Sequence, residues 1–354
     1  MNRFDTIVVG SGLAGIIAAI FSAKRGENIL LLEQLPRLAT KLKATGGGRC
    51  NLSNRLSNQE FVSSFSRVQS RFIAPIIEKY DQKSLVKFFD SIGLQTHSPD
   101  GFRIFPTTHS SQTVIDSLEN ILNNLNINIM LECKLKDILV KNDQISSVVT
   151  SQGEFYTKKL ILATGGLGYS NLGATGESFD ILKKLGHNIT QTYPAMMPLF
   201  TKQTWVQNCT ADTLPKVTIK VDIKKLPNSK KLKKLEAKGD LIFTKKGIRG
   251  PVVLDFAREI TPFLDQYKSV PILINMTKYN NEDMIIKHIK QQVLLNNIYN
   301  ILDIVKTLLP NSVSNSLLNY LQIDRYYLHF LLKCQEAMPA YHLHQKQEIH
   351  LRAN

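Results

Sequence analysis

Apolar residues follow different rhythms along the chain, and the rhythms divide it. Asp5-Thr6-Ile7-Val8-Val9 is a β-branched, nearly continuous apolar run, the pattern of a strand buried on both faces. It enters Gly10-Ser11-Gly12-Leu13-Ala14-Gly15, after which a helical period runs from Ile16 to Arg25 and stops at Gly26. Asn28 to Leu32 repeats the strand pattern and ends at Glu33. Val114 to Leu125 reads as an amphipathic helix, and Ile129 to Leu135 and Leu160 to Gly166 read as further strands. From about Ala195 the pattern changes. Val217 to Ile223 alternates apolar and polar, as a half-exposed strand does, and Leu241-Ile242-Phe243 and Val270 to Ile274 suggest more strands. Residues 281–334 predict helices, over Met284 to Leu295, over Ile298 to Leu309 and in shorter pieces to Leu332, with a break at Pro310.

Each residue of the first turn has a physical task. In a strand–GxGxxG–helix unit the first glycine permits a tight turn, the second lets backbone approach a pyrophosphate, and the third lets helix pack on strand. The helix N-terminus offers free N–H groups and a positive dipole to phosphates. Glu33 closes the second strand, where a carboxylate can accept hydrogen bonds from the ribose of an adenosine. This order predicts an α/β, doubly wound dinucleotide-binding domain, without choosing between FAD and NAD. A second feature narrows the choice. Lys41-Leu42-Lys43-Ala44-Thr45-Gly46-Gly47-Gly48-Arg49-Cys50-Asn51 sets three glycines before Arg-Cys-Asn. Such a loop brings backbone N–H groups against a planar or anionic ligand, with Arg49 available for a phosphate.

At this point the sequence resembles the BaiN/RdsA family of FAD-dependent oxidoreductases (YhiN-like flavoproteins). Beside Lys41-Leu42 and Thr45 to Asn51, the blocks that carry the resemblance are Gly101 to Pro106, Leu160 to Tyr169 with Gly173-Ala174-Thr175-Gly176, Leu185-Gly186-His187, Pro194 to Leu199, and Gly239 to Pro251. The resemblance implies a Rossmann-like FAD domain over residues 1–194. It also implies an inserted domain over 195–334, β-rich in 195–280 and helical in 281–334. Residues 335–354 then read as a tail, because the family's returning FAD-domain segment is not found there; on this reading the chain is truncated relative to its family, which weakens FAD binding. Cofactor contacts are expected from Gly10, Gly12, Ala14, Gly15, Glu33, Lys41, Gly46, Gly47, Gly48, Arg49, Leu135, Ala163, Thr164 and Gly165. Leu135 enters because this fold usually meets the adenine through main chain near that strand. There is no second GxGxxG, so NAD(P)H is expected only as a transient electron donor at the flavin face, with another donor as the alternative.

For catalysis the candidates are Cys50, Asn51 and Tyr169. A thiol of ordinary pKa is protonated at neutral pH and can donate the proton that follows hydride transfer to a ring. Arg49 and Asn51 would orient a carbonyl, while Tyr169, His109 or water are alternative donors. The competing reading of Cys50 is an inert cysteine packed behind the loop.

Composition sets the remaining bounds. The 354 residues are 43% hydrophobic and 21% charged, as in an ordinary globular protein. The four cysteines, Cys50, Cys133, Cys209 and Cys334, form no CxxC pair, which fits a reducing compartment and offers no metal site. Thr6 to Ala23 carries no charge, yet its glycines and helix pattern are those of the dinucleotide unit and not of a signal peptide or membrane span. A cytoplasmic protein with no membrane partner is the expectation. His342, His344 and His350 read as an unstructured end and not a metal site. The net charge of +15 is the outlier, and 11 lysines fall between Lys216 and Lys246. Ribosomal RNA is therefore a candidate partner. The family resemblance offers dihydrouridine formation in ribosomal RNA as the leading activity. Its alternatives are a small-molecule flavoenzyme, such as an amine oxidase or enone reductase, and a non-catalytic remnant.

Overall fold

A computed structural model of the chain describes residues 2–209, 212–226, 232–279, 281–296, 300–323 and 347–352. They belong to two compact units, Met1–Thr190 and Gln191–Asn354; the sequence placed its boundary at 194/195.

The first unit opens with β1 (Thr6–Val9), α1 (Leu13–Ala23), β2 (Ile29–Leu32), α2 (Thr40–Lys43), β3 (Ser53–Asn54), α3 (Asn58–Ser63), α4 (Arg67–Lys79) and α5 (Gln82–Ser91). It continues with β4 (Thr96–His97), β5 (Arg103–Pro106), α6 (Ser111–Asn124), β6 (Asn128–Met130), β7 (Leu135–Lys141), β8 (Gln144–Thr150), β9 (Gly153–Tyr156), β10 (Lys159–Leu162) and α7 (Glu177–Lys184). Four strands form a parallel sheet in the order β10-β1-β2-β6, with Val9 opposite both Leu32 and Leu162. Alternation along the central strands decides what each face meets. Val8 and Leu31 join Ile16, Ala19 and Ile20 of α1 and Val114, Leu118 and Leu122 of α6. Ile7, Val9, Leu30 and Leu32 point the other way, into a core with Ile138, Val148 and Phe155 of the antiparallel β7-β8-β9 sheet and Ile181 of α7. Both faces are thus dry, as a parallel sheet requires, and each fully buried Leu or Ile stabilises the unit by about 1.5–3 kcal/mol.

One predicted strand is corrected. Ile129 to Leu135 is not continuous: β6 stops at Met130 and β7 starts at Leu135. Between them Glu132 takes a left-handed φ of 54°. The Glu132 N–H donates to the Leu35 carbonyl and the Cys133 N–H to the Glu33 carbonyl. The apolar run is bent there to meet the residues that follow β2.

The second unit holds β11 (Leu199–Thr201), β12 (Thr213–Val221), β13 (Glu236–Thr244), β14 (Gly247–Arg249), α8 (Pro251–Tyr267), β15 (Ser269–Asn275), α9 (Glu282–Asn296), α10 (Ile301–Lys306), α11 (Asn311–Tyr320) and β16 (Gln347–Arg352). Its strands close into an antiparallel barrel in the order β11-β14-β13-β12-β15-β16. Val217, Ile219, Phe243 and Ile272 share a core with Val252, Phe256 and Ile260 of α8. The tail expected to be unstructured is corrected in part, since Gln347 to Arg352 pair with both β15 and β11. His342 and His344 lie outside the described residues, as do Lys230 and Lys231.

A side-chain chain in this unit gives a pH prediction. The Thr307 hydroxyl donates to the Ile304 carbonyl at 2.7 Å and so accepts from His288 Nε2–H, also at 2.7 Å. His288 Nδ1 is then the acceptor for the Tyr279 hydroxyl at 3.0 Å. Burial first, and the Lys278 charge second, hold the His288 pKa below its usual 6.5. As pH falls through 6.5 the unfolded chain takes up a proton before the folded one. The contribution of His288 is therefore intact above pH 6.5 and is lost between there and its lowered folded value. Denaturant midpoints at pH 7.5 and 5 should differ less in His288→Gln than in the wild type.

Candidate functional site

The first unit carries a cleft at the C-terminal ends of β1, β2 and β10, where a sheet of this topology binds its ligands. Val9, Gly10, Gly12, Leu32, Glu33, Lys41, Leu135, Ala163, Thr164 and Gly165 line it. The three glycines of the first turn separate by role. Gly10 has φ +101°, and a Cβ there would lie 2.5 Å from the Ala163 carbonyl oxygen. On Gly15 a Cβ would stand 1.8 Å from the Gly10 carbonyl oxygen. Both are required by packing within the protein. Gly12 is different: its φ is an ordinary −64°, a Cβ on it meets nothing within 4 Å, and it faces the cleft. The space beside Gly12 is space for something else.

Gly12 is also the N-cap of α1, without a side-chain cap and with no acid in the first turn. Ile16 N–H makes the first helical bond, to the Gly12 carbonyl. Helix geometry leaves the N–H groups before it without intrahelical partners. They form an anion-binding end that no carboxylate of the helix competes for.

Glu33 is only 8% exposed and holds the turn together. Its Oε2 accepts from Ser11 N–H at 2.8 Å and from the Ser11 hydroxyl at 2.5 Å, and its Oε1 accepts from Leu35 N–H at 2.9 Å. A carboxylate has about four acceptor sites, so capacity remains for ribose hydroxyls. These features fit a dinucleotide. A glycine that a Cβ would turn into an obstruction, an open helix end and a buried acid sit along one cleft.

Sequence reasoning missed the opposite wall. Leu172 to Ser178 line the cleft and are tied to three other walls. Gln34 Nε2 donates to the Gly173 carbonyl at 2.7 Å, Thr164 and Ser178 share a hydroxyl hydrogen bond at 2.6 Å, and Lys134 pairs with Glu177 at 2.7 Å. Gly173 and Gly176 were visible as part of the family resemblance, but nothing in the local pattern assigned them to the cleft.

The remaining candidates lie elsewhere. Gly15 packs behind the turn, and Ala14 is exposed on the first turn of α1 without lining the cleft. Gly46 to Gly48 form a single tight turn in which all three have positive φ, closed by Arg49 Nε donating to the Gly46 carbonyl. Arg49 stacks over Phe105 at 5.8 Å. Neither that turn, Asn51 nor Tyr169 lines the cleft. Tyr169, 69% exposed, is linked to its rim through Lys41, whose ammonium lies 5.4 Å from the ring and donates to the Gly168 carbonyl. Cys50 is fully buried in the core shared with Phe89, Leu94 and Val114, and burial pushes its thiol up to about 11. That is the environment of a packing cysteine, closed to substrate, and not that of the proton donor its place beside the glycine loop suggests.

Among the described residues no helix is long and apolar enough to cross a membrane, and no group of three His, Cys, Asp or Glu could hold a metal ion.

Known proteins place the chain in context. A 3-dehydro-bile acid delta(4,6)-reductase of Clostridium scindens is 26% identical over 78% of this chain and 64% of its own length. Ribosomal RNA dihydrouridine synthases of Escherichia coli and Haemophilus influenzae are each 23% identical, over 80% and 73% of this chain and 67% and 62% of theirs. The chain thus spans roughly two thirds of the length of the relatives it matches. The family model described as HI0933-like protein Rossmann domain matches residues 4–295, most of the sequence. With the parallel sheet, the glycine turn and the acid at the end of β2 in place, the chain belongs to the HI0933-like family.

Proposed function

We propose that the cleft binds FAD and that the protein is a flavin-dependent reductase acting on uracil rings of ribosomal RNA. The observation that carries the cofactor assignment is Gly12, open to the cleft at the uncapped end of α1 while Glu33 fixes the same turn. On this reading the N–H groups of the α1 end hold the pyrophosphate. Glu33 accepts from the adenosine ribose, Ala163 to Gly165 let backbone pass close to the dinucleotide, and Leu135 borders the adenine end. Lys41 adds positive charge along the phosphates, whereas that of Lys134 is paired with Glu177. FAD, when bound, supplies the hydride chemistry. The visible spectrum of the purified protein tests the assignment: a flavin spectrum supports it, and a colourless protein that takes up no added FAD overturns it.

The RNA substrate is supported by two relatives named as ribosomal RNA dihydrouridine synthases and by the +15 charge. Part of the basic run is neutralised, because Glu236 pairs with Lys220 and Lys238 at 2.9 and 3.4 Å. Lys233, Lys234, Lys245 and Lys246 are exposed in the second unit. Replacing these four with Gln should weaken binding to ribosomal RNA fragments. It should also flatten the salt dependence by about 0.7 to 0.9 in log–log slope for each phosphate that the variant ceases to neutralise. A relative named as a bile acid reductase supports a second reading, reduction of a small enone. Turnover of a free metabolite that does not change with salt, together with unchanged RNA affinity in the Lys variant, would favour it.

A further inference from the structure

The first unit has a second cleft, which shares no residue with the first. It holds about 520 Å³, within the range of small-molecule sites, and runs along the side of α1 beneath α3, the end of α4 and the start of α5. Its wall is aromatic. Phe21 stacks on Phe88 with ring centroids 5.8 Å apart and meets Tyr80 edge-on at 6.5 Å. Phe21 and Tyr80 are 37% and 55% exposed, so this apolar surface is open to water.

Cations ring the opening. Lys24 Nζ stands 5.9 Å from the Phe21 ring and 6.0 Å from the Phe88 ring, and Lys79 Nζ stands 5.8 Å from that of Tyr80. Arg25 lines the cleft. Glu27 feels the Arg25 charge, but its carboxylate is bonded to Lys159 and to Thr6. Asp81, the one acid lining the cleft among the described residues, caps α5 by accepting from Ser84 N–H and the Ser84 hydroxyl. Three cations against that one acid leave the mouth positive.

We propose that this cleft binds an amphiphilic carboxylate, its apolar body against Phe21, Tyr80 and Phe88 and its anionic head at Lys24, Arg25 and Lys79. Apolar area leaves water on the aromatic wall while the charged head stays solvated among cations, so neither half is buried at a loss. The site is independent of whether the first cleft holds FAD.

Dodecanoate and dodecanol, titrated below their self-association limits against the purified protein, separate head from body. Dodecanoate should bind with one-to-one saturation and at least tenfold more tightly than dodecanol. Lys24→Gln, Arg25→Gln and Lys79→Gln together, all at exposed positions, should remove that preference while leaving the weaker binding of dodecanol unchanged. Leu85→Trp, which narrows the cleft, should weaken both. Equal affinity for acid and alcohol, no saturable binding, or a charge preference that survives the triple variant overturns the proposal. So does co-sedimentation with phosphatidylglycerol vesicles in place of binding free dodecanoate.

Discussion

Gly12→Val should leave the protein folded and strip it of FAD. The backbone at Gly12 has an ordinary φ, and a Cβ meets no protein atom within 4 Å, so the substitution costs the fold little. The added methyls project into the cleft at the end of α1, where the proposed binding mode brings the pyrophosphate within hydrogen-bond distance. An affinity loss of about 100-fold, equal to roughly 2.8 kcal/mol, is expected. FAD fluorescence titration reads the loss, and a denaturant midpoint close to the wild type reads the intact fold. Retained affinity at full occupancy would move the dinucleotide elsewhere.

Gly15→Ala should do the reverse. Its Cβ would stand 1.8 Å from the Gly10 carbonyl oxygen and 3.2 Å from the Ala163 side chain, with backbone on the closer side. The α1 helix must then move off the sheet, and Ile16, Ala19 and Ile20 lose their fit in the core. Overpacking of a tight core costs about 1–3 kcal/mol, occasionally more, and an approach this short belongs at the upper end. The denaturant midpoint should fall clearly, whether or not FAD is present. Two substitutions three residues apart thus separate a glycine kept for the ligand from one kept for the fold.

Much of this region was legible because its chemistry is local. Thr6 to Glu33 states strand, turn, helix, strand and acid in order, and each assignment rests on neighbouring residues. The helical period becomes readable only at Ile16, whereas α1 begins at Leu13, because glycine at positions 12 and 15 masks it. Residues 129–135 mislead for a longer-range reason. An apolar run predicts one strand, but Glu132 and Cys133 bond to backbone a hundred residues earlier, and no local pattern announces that. The wall at Leu172 to Ser178 is hidden for the same cause. Its ties run to Gln34, Lys134 and Thr164, partners set by topology. Cys50 shows the converse limit: a residue beside a glycine-rich loop looks reactive in sequence, yet the φ of +59° at that position accompanies a side chain turned into the core.

Because Glu33 already bonds Ser11 and Leu35, the glycine turn is ordered by the protein's own groups. A loop that had to freeze on binding would cost about 1–2 kcal/mol for each backbone residue fixed. Here that cost is met during folding, so little of it is left for the dinucleotide. Calorimetry of FAD binding should accordingly show a heat-capacity change proportional to the surface in contact, without the larger signature of coupled folding. Removal and return of the cofactor should then be a reversible equilibrium on a standing scaffold, with association limited by diffusion into the cleft and not by assembly of its walls.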